Sequence, residues 1–108
     1  MDLVRLSLRA RADLLSIGAY TLQTWGGAQA VRYLDGLEKF GKVLAANPAL
    51  GRACHFIRPC LHHFEKGRHV LFYRQEESGI LVSRILHQSM LPEQQAFEDE
   101  APNPAAHG

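Results

Sequence analysis

Hydrophobic positions change their spacing as the chain proceeds, and each change marks an element. Between Leu3 and Leu8, Val4, Leu6 and Leu8 alternate with Arg5, Ser7 and Arg9, the period of two expected of a half-buried strand. From Ala10 the period lengthens: Ala10, Leu14, Ile17, Thr21 and Trp25 share one helical stripe, flanked by Leu15 and Tyr20, until Gly26-Gly27 interrupts it. A second stripe, Ala30, Tyr33, Leu34, Leu37, Phe40 and Leu44, runs to Asn47-Pro48, where proline disfavours helix in the residue before it. Two helices joined this tightly are expected to pack as an antiparallel hairpin.

Beyond Gly51 the pattern reads as short strands over Cys54 to Arg58, Leu61 to Glu65, Arg68 to Gln75 and Ile80 to His87. Lys66-Gly67 and Glu76 to Gly79 have the composition of compact turns joining antiparallel neighbours. Centring those turns puts Phe64 opposite His69 and Tyr73 opposite Val82. One face then carries Leu61, His63, Val70, Phe72, Leu81, Ser83 and Ile85, and the other His62, Phe64, His69, Leu71, Tyr73, Val82, Arg84 and Leu86. Both faces are apolar enough to need a cover, and one helical hairpin covers one face. A charged Arg84 beneath a helix would carry a heavy desolvation cost unless paired, so the second set is assigned to the side away from the helices. The expected fold class is α+β, with an N-terminal strand, a helical hairpin and a three-to-four-stranded antiparallel sheet. Phe64, Leu71, Tyr73, Val82, Arg84 and Leu86 are then the expected contacts of a partner protein, which supplies the second cover. The alternative cover is the C-terminal tail, folding back through Leu91 and Phe97.

Charge sharpens that picture. The net charge of +1 conceals an uneven distribution: residues 1 to 91 hold all twelve Lys and Arg with seven Asp and Glu, whereas residues 92 to 108 hold Glu93, Glu98, Asp99, Glu100 and no basic residue. Residues 1 to 91 are read as one domain and 92 to 108 as a flexible acidic tail rich in proline. The basic residues of the body are spread out, which suits an acidic protein partner at least as well as nucleic acid. No apolar run of about 18 residues could span a bilayer, and no export signal is visible, so the reading is cytoplasmic with no membrane partner. Cys54 and Cys60 are then expected to stay reduced and serve packing.

Leu6-Ser7, Ala12-Asp13-Leu14, Tyr20, Trp25-Gly26, Tyr33-Leu34, Asn47-Pro48, Ile57-Arg58-Pro59, Gly67, His69-Val70, Phe72-Tyr73-Arg74 and Arg84-Ile85-Leu86-His87, in that order and spacing, resemble ParE toxins of the RelE/ParE superfamily. The resemblance covers nearly all of residues 3 to 90. It implies the fold read above, a place in a type II toxin-antitoxin pair, and neutralisation by a ParD-like antitoxin. It also implies action on DNA gyrase by protein contact, with nucleic acid met only through the antitoxin. Cys60 stands where the family has glycine, His62-His63 where it has arginines, and Leu91 where many relatives have aspartate.

The superfamily also contains ribosome-dependent mRNA interferases of the RelE type, which makes a ribonuclease the rival. That chemistry needs a base, an acid and cations around the phosphorus, for which His62, Tyr73 and Arg84 on one predicted face are the candidates. Aliphatic residues surround this single arginine, where ribonucleases bring several cations, so no catalytic residue and no enzyme activity is expected. His87 falls on the other face and is read as structural. No metal or other cofactor is expected either: His62 and His63 are adjacent on a strand and point to opposite faces. Trp25, on the helical stripe, is read as core, and Arg9, Arg11, Lys39 and Lys42 as solvated helix surface.

Overall fold

The computed structural model describes residues 3–90 and 92–97. Strand β1 (Leu3–Leu6) leads into helix α1 (Leu8–Trp25), Gly26 turns the chain, and α2 (Gly27–Ala46) returns. A 3-10 turn (Pro48–Leu50) and the two-residue β2 (Arg52–Ala53) precede β3 (His62–Lys66), β4 (His69–Glu76) and β5 (Gly79–His87). A second 3-10 turn spans Pro92–Gln94. The five strands form one mixed sheet in the order β1-β5-β4-β3-β2. β1 joins parallel to β5, and the helical hairpin carries the chain from β1 at one edge of the sheet to β2 at the other. The remaining neighbours are antiparallel.

β1 ends opposite Val82, so the second half of β5 has no strand on that side. Two side chains stand in for one. Ser7 donates its backbone N–H to the Val82 carbonyl (3.1 Å) and its hydroxyl to the Ser83 carbonyl (2.8 Å), while that hydroxyl accepts from Ala10 N as the cap of α1 (3.0 Å). One turn on, Asp13 accepts the Ile85 N–H at 2.9 Å and takes Arg84 in a two-pronged ion pair, both contacts 2.8 Å. The buried strand thus keeps its backbone groups paired.

The same stretch of β5 holds a bulge. Tyr73 faces Val82, yet the next residue, Phe72, faces Arg84, so Ser83 is an extra residue that reverses the alternation. Before it Ile80 and Val82, and after it Ile85, lie with Leu71 and Tyr73 against Ala10, Ile17, Leu37, Leu44 and Ala45 of the helices. On the other side Phe72 and Leu86 pack with Cys54, Leu61, Ile57, Val70 and Phe97.

Up to the bulge the predicted faces are therefore exchanged, while Ile85, Arg84 and Leu86 keep the sides expected of them. Phe64, Leu71, Tyr73 and Val82, expected away from the helices, lie beneath them, and Phe64 stacks on Phe40 of α2 at 4.8 Å. Strict alternation had tied Arg84 to Val82; the bulge uncouples them, and Asp13 supplies the charge partner whose absence was the argument against a helix nearby. The β3–β4 turn falls on Gly67-Arg68, one residue later than its centred position, and Phe64 pairs with Leu71. The partner of Phe64 shifts by two residues along β4, which leaves facing unchanged, and only the bulge alters it. The expected strand Cys54 to Arg58 does not form. Ile57 and Arg58 both turn back to the Cys54 carbonyl, Pro59 has no N–H to donate, and Cys60 adopts a positive φ of 63°. Residues 54–61 form a compact loop that covers the outer face instead.

The tail supplies the rest of that cover. Phe97 packs edge-on against Phe72, with centroids 5.3 Å apart and planes at 79°. Arg84 donates to the Ala96 carbonyl at 2.8 Å and Arg58 to the Phe97 carbonyl at 3.4 Å. Residues 92–97 are thus docked, whereas the expectations for Leu91 and for the flexible acidic segment 98–108 lie outside the described residues.

Two substitutions test this frame. Gly79 sits at φ +151°, and an added Cβ would lie 1.9 Å from the Leu3 carbonyl oxygen, so Gly79→Ala is expected to cost about 2–4 kcal/mol in urea unfolding by prising β1 from β5. Asp13→Ala removes the charge partner of Arg84, whose side chain is only 11% exposed, and is expected to cost about 3–5 kcal/mol. Adding Arg84→Met to Asp13→Ala is expected to restore part of that loss, measured as a double-mutant cycle.

Candidate functional site

The exposed surface of α1 is the most apolar feature of the helical side. Leu8, Ala12, Leu15, Ala19 and Leu22 recur at steps of four and three and are all exposed, Leu15 to 77%. This stripe is offset from the Ala10, Ile17 and Thr21 stripe that enters the core. α1 therefore has one apolar line inside and another outside, the pattern of a helix that packs on both sides. Leucines and alanines alternating along the outer line leave room for close approach of another helix or extended segment.

A groove lies along each flank of this ridge. One, of about 930 Å³, runs between α1, α2 and β1, lined by Leu3, Leu6, Leu15 and Leu34 and rimmed by Arg11, Asp35, Glu38 and Lys42. The other, of about 970 Å³, lies between the end of α1, the start of α2 and the far ends of β4 and β5, lined by Tyr20, Trp25, Tyr33, His69, His87 and Met90. Trp25 is exposed at the mouth of this second groove, contrary to its reading as core, because its stripe reaches past the edge of the sheet.

Polar order in the second groove centres on Tyr33. Its hydroxyl lies 2.5 Å from His69 Nδ1 and accepts the Arg68 backbone N–H at 3.3 Å. Burial raises the Tyr33 pKa above its ordinary value and lowers that of His69, with His87 adding to the depression and Asp13 opposing it. Both trends favour a neutral phenol donating to a neutral imidazole. His87 sits across from His69 with ring centroids 5.5 Å apart, on the helix side of the sheet and opposite Arg84 as expected, and the bulge brings it to the same face as His69.

The predicted ribonuclease trio does not assemble. Tyr73 is fully buried; its hydroxyl donates to the Pro48 carbonyl at 2.6 Å and accepts from Gly51 N at 2.9 Å. His62 stacks on Tyr73 at 5.8 Å, but Arg84 is on the opposite face of the sheet, held by Asp13 and the Ala96 carbonyl. A base and a cation separated by the thickness of a sheet cannot attend one phosphate. Of the six residues expected to meet a partner, Phe64, Leu71, Tyr73 and Val82 are enclosed by the helices, and Arg84 and Leu86 by the tail and the 54–61 loop. The surface that is open, α1 and its grooves, was signalled only by Leu15 and Tyr20 flanking the helical stripe. The heptad spacing of Leu8, Leu15 and Leu22 carried the missing signal. Cys54 is buried, its thiol pushed up to about 11 by desolvation, while Cys60 is exposed instead of packed.

A small mixed sheet backed by a helical hairpin, with an exposed apolar ridge on α1, defines an α+β class of fold. Comparison with known proteins makes the class specific. Residues 4–92 match the family model for the ParE toxin of type II toxin-antitoxin system, parDE. The chain is 44% identical over 86 residues to Toxin ParE1 of Mycobacterium tuberculosis, covering 79% of this chain and 88% of that one. It is 40% identical over 88 residues to Toxin ParE1 of Caulobacter vibrioides, covering 80% and 88%. A solved chain of the chromosomal ParDE system from P. aeruginosa shares the fold with a TM-score of 0.65 at 19% identity, over 78% of this chain and 92% of that one. The chain belongs to the ParE toxin family of type II toxin-antitoxin systems. No helix among the described residues is long and apolar enough to cross a membrane.

His69 makes stability depend on pH. With its folded pKa held below the ordinary 6.5, His69 binds fewer protons folded than unfolded, so stability is full above that value and falls as pH drops through it. His69→Gln is expected to flatten the difference in urea midpoint between about pH 7.5 and about pH 5.

Proposed function

We propose that this toxin is captured by a ParD-like antitoxin laid along α1 and its two grooves, and that it acts in the cytoplasm on DNA gyrase by protein contact, without breaking bonds itself. The observation that carries the proposal is the outer stripe of α1, Leu8, Ala12, Leu15, Ala19 and Leu22, exposed on a helix whose other stripe already fills the core. An amphipathic segment that orders as it binds would bury this stripe and reach into the grooves on either side. The solved ParDE system of the P. aeruginosa neighbour supports a partner of the ParD type. The seat moves from the sheet residues expected beforehand to the helical ridge, since the sheet face has its own cover.

The non-enzymatic part of the reading is supported by the fate of the trio. Tyr73 has both hydrogen bonds committed to Pro48 and Gly51, and Arg84 is committed to Asp13. The chain's influence on gyrase is then steric and conformational: a bound toxin arrests the topoisomerase within its cleavage cycle.

Leu15→Glu, on an exposed position, is expected to leave unfolding unchanged and weaken capture of the co-encoded antitoxin at least tenfold by titration calorimetry, about 1.4 kcal/mol. Purified chain is expected to inhibit gyrase supercoiling, and His62→Ala to leave that inhibition intact. Unaltered antitoxin affinity in the Leu15 variant would reject the ridge, and ribosome-dependent RNA cleavage lost with His62 or Arg84 would reject gyrase contact in favour of a nuclease.

A further inference from the structure

The family match ends at residue 92, yet the next residues have a task in this fold. Residues 92–97 cross the outer face of β4 and β5 and complete the cluster of Phe72, Leu86, Val70 and Leu61. Their attachment is that of a bound peptide: one aromatic ring against Phe72, and two backbone carbonyls, of Ala96 and Phe97, received by Arg84 and Arg58. The segment has little structure of its own beyond the turn in which Gln95 N donates to the Pro92 carbonyl. Phe97 itself stays half-buried, while the Phe72 and Leu86 beneath it are almost fully covered.

We infer that the outer face of β4 and β5 is a peptide-binding site, built by Phe72, Leu86, Arg58 and Arg84 and occupied in cis by the chain's own residues 92–97 as a detachable strap. The ligand chemistry is an aromatic side chain flanked by free carbonyls. In this chain Glu98, Asp99 and Glu100 follow the aromatic residue in sequence. Tethering gives the strap a local concentration of about a millimolar, so it holds the site against any peptide in solution while remaining able to leave. Opening the strap uncovers an apolar surface bordered by guanidinium groups on the side of the molecule opposite α1. This proposal stands apart from the antitoxin reading, which concerns the helical ridge.

The test uses the full chain and a synthetic peptide of residues 92–100, PEQQAFEDE. Phe97→Ala in the full chain is expected to keep its circular dichroism and cooperative unfolding, and to bind the added peptide at least tenfold more tightly than the wild-type chain does by fluorescence anisotropy. The same peptide with Phe97→Ala is expected not to bind. Equal uptake by wild type and variant, or no uptake by the variant, would overturn the proposal. Loss of the folded state in the Phe97→Ala chain would overturn it too, because Phe97 would then be core and not a strap.

Discussion

The structure depends on how β5, its most buried strand, is completed after β1 ends. From Val82 onward it has β4 on one side and the start of α1 on the other. Unpaired backbone groups there would each cost about 1–3 kcal/mol, and an unpaired Arg84 more. Ser7 and Asp13, spaced six apart where strand becomes helix, meet that demand with side-chain oxygens. The junction fixes where α1 begins, how it lies on the sheet, and which way Arg84 points.

That junction separates the molecule into two working sides. Facing the helices, Leu71, Tyr73, Ile80, Val82 and Ile85 form the larger core. Facing away, a smaller cluster is closed by an irregular loop and a strap from the C-terminal segment. Both sides of the sheet are covered by the chain itself, and among the described residues the outside of α1 carries an exposed apolar stripe. The inner stripe of that helix serves the fold, and the outer stripe lies exposed.

Buried polar groups follow the same economy of placement. Tyr73 anchors the loop at Pro48 and Gly51, and the approach is so close that a Cβ on Gly51 would stand 2.1 Å from the phenol oxygen. Tyr33 performs the matching task at the β3–β4 turn through Arg68 and His69. Aromatic hydroxyls that could have looked chemical in a linear reading are the fastenings between helices, loops and sheet.

Periodicity by itself marked most of the elements here: a strand of period two, two helices broken at Gly26 and Asn47, and later strands apolar on both faces that require two covers; it missed β2 and gave a strand over 54–58 where a loop forms. The family likeness was carried separately, by particular residues in a given order, such as Trp25-Gly26, Asn47-Pro48 and Gly67. Tertiary structure decided which face went where. A single extra residue at Ser83 reverses facing for everything after it, and it leaves no mark in the hydrophobic pattern, since Val82, Ile85 and Leu86 are apolar on either assignment. The partner of Arg84 was equally hidden, for Asp13 is 71 residues away in sequence and meets it only once α1 lies along the open side of β5. Alternation is a local property that a chain writes directly, whereas the pairing of distant charges and the choice of cover emerge only when strands and helices are brought into contact.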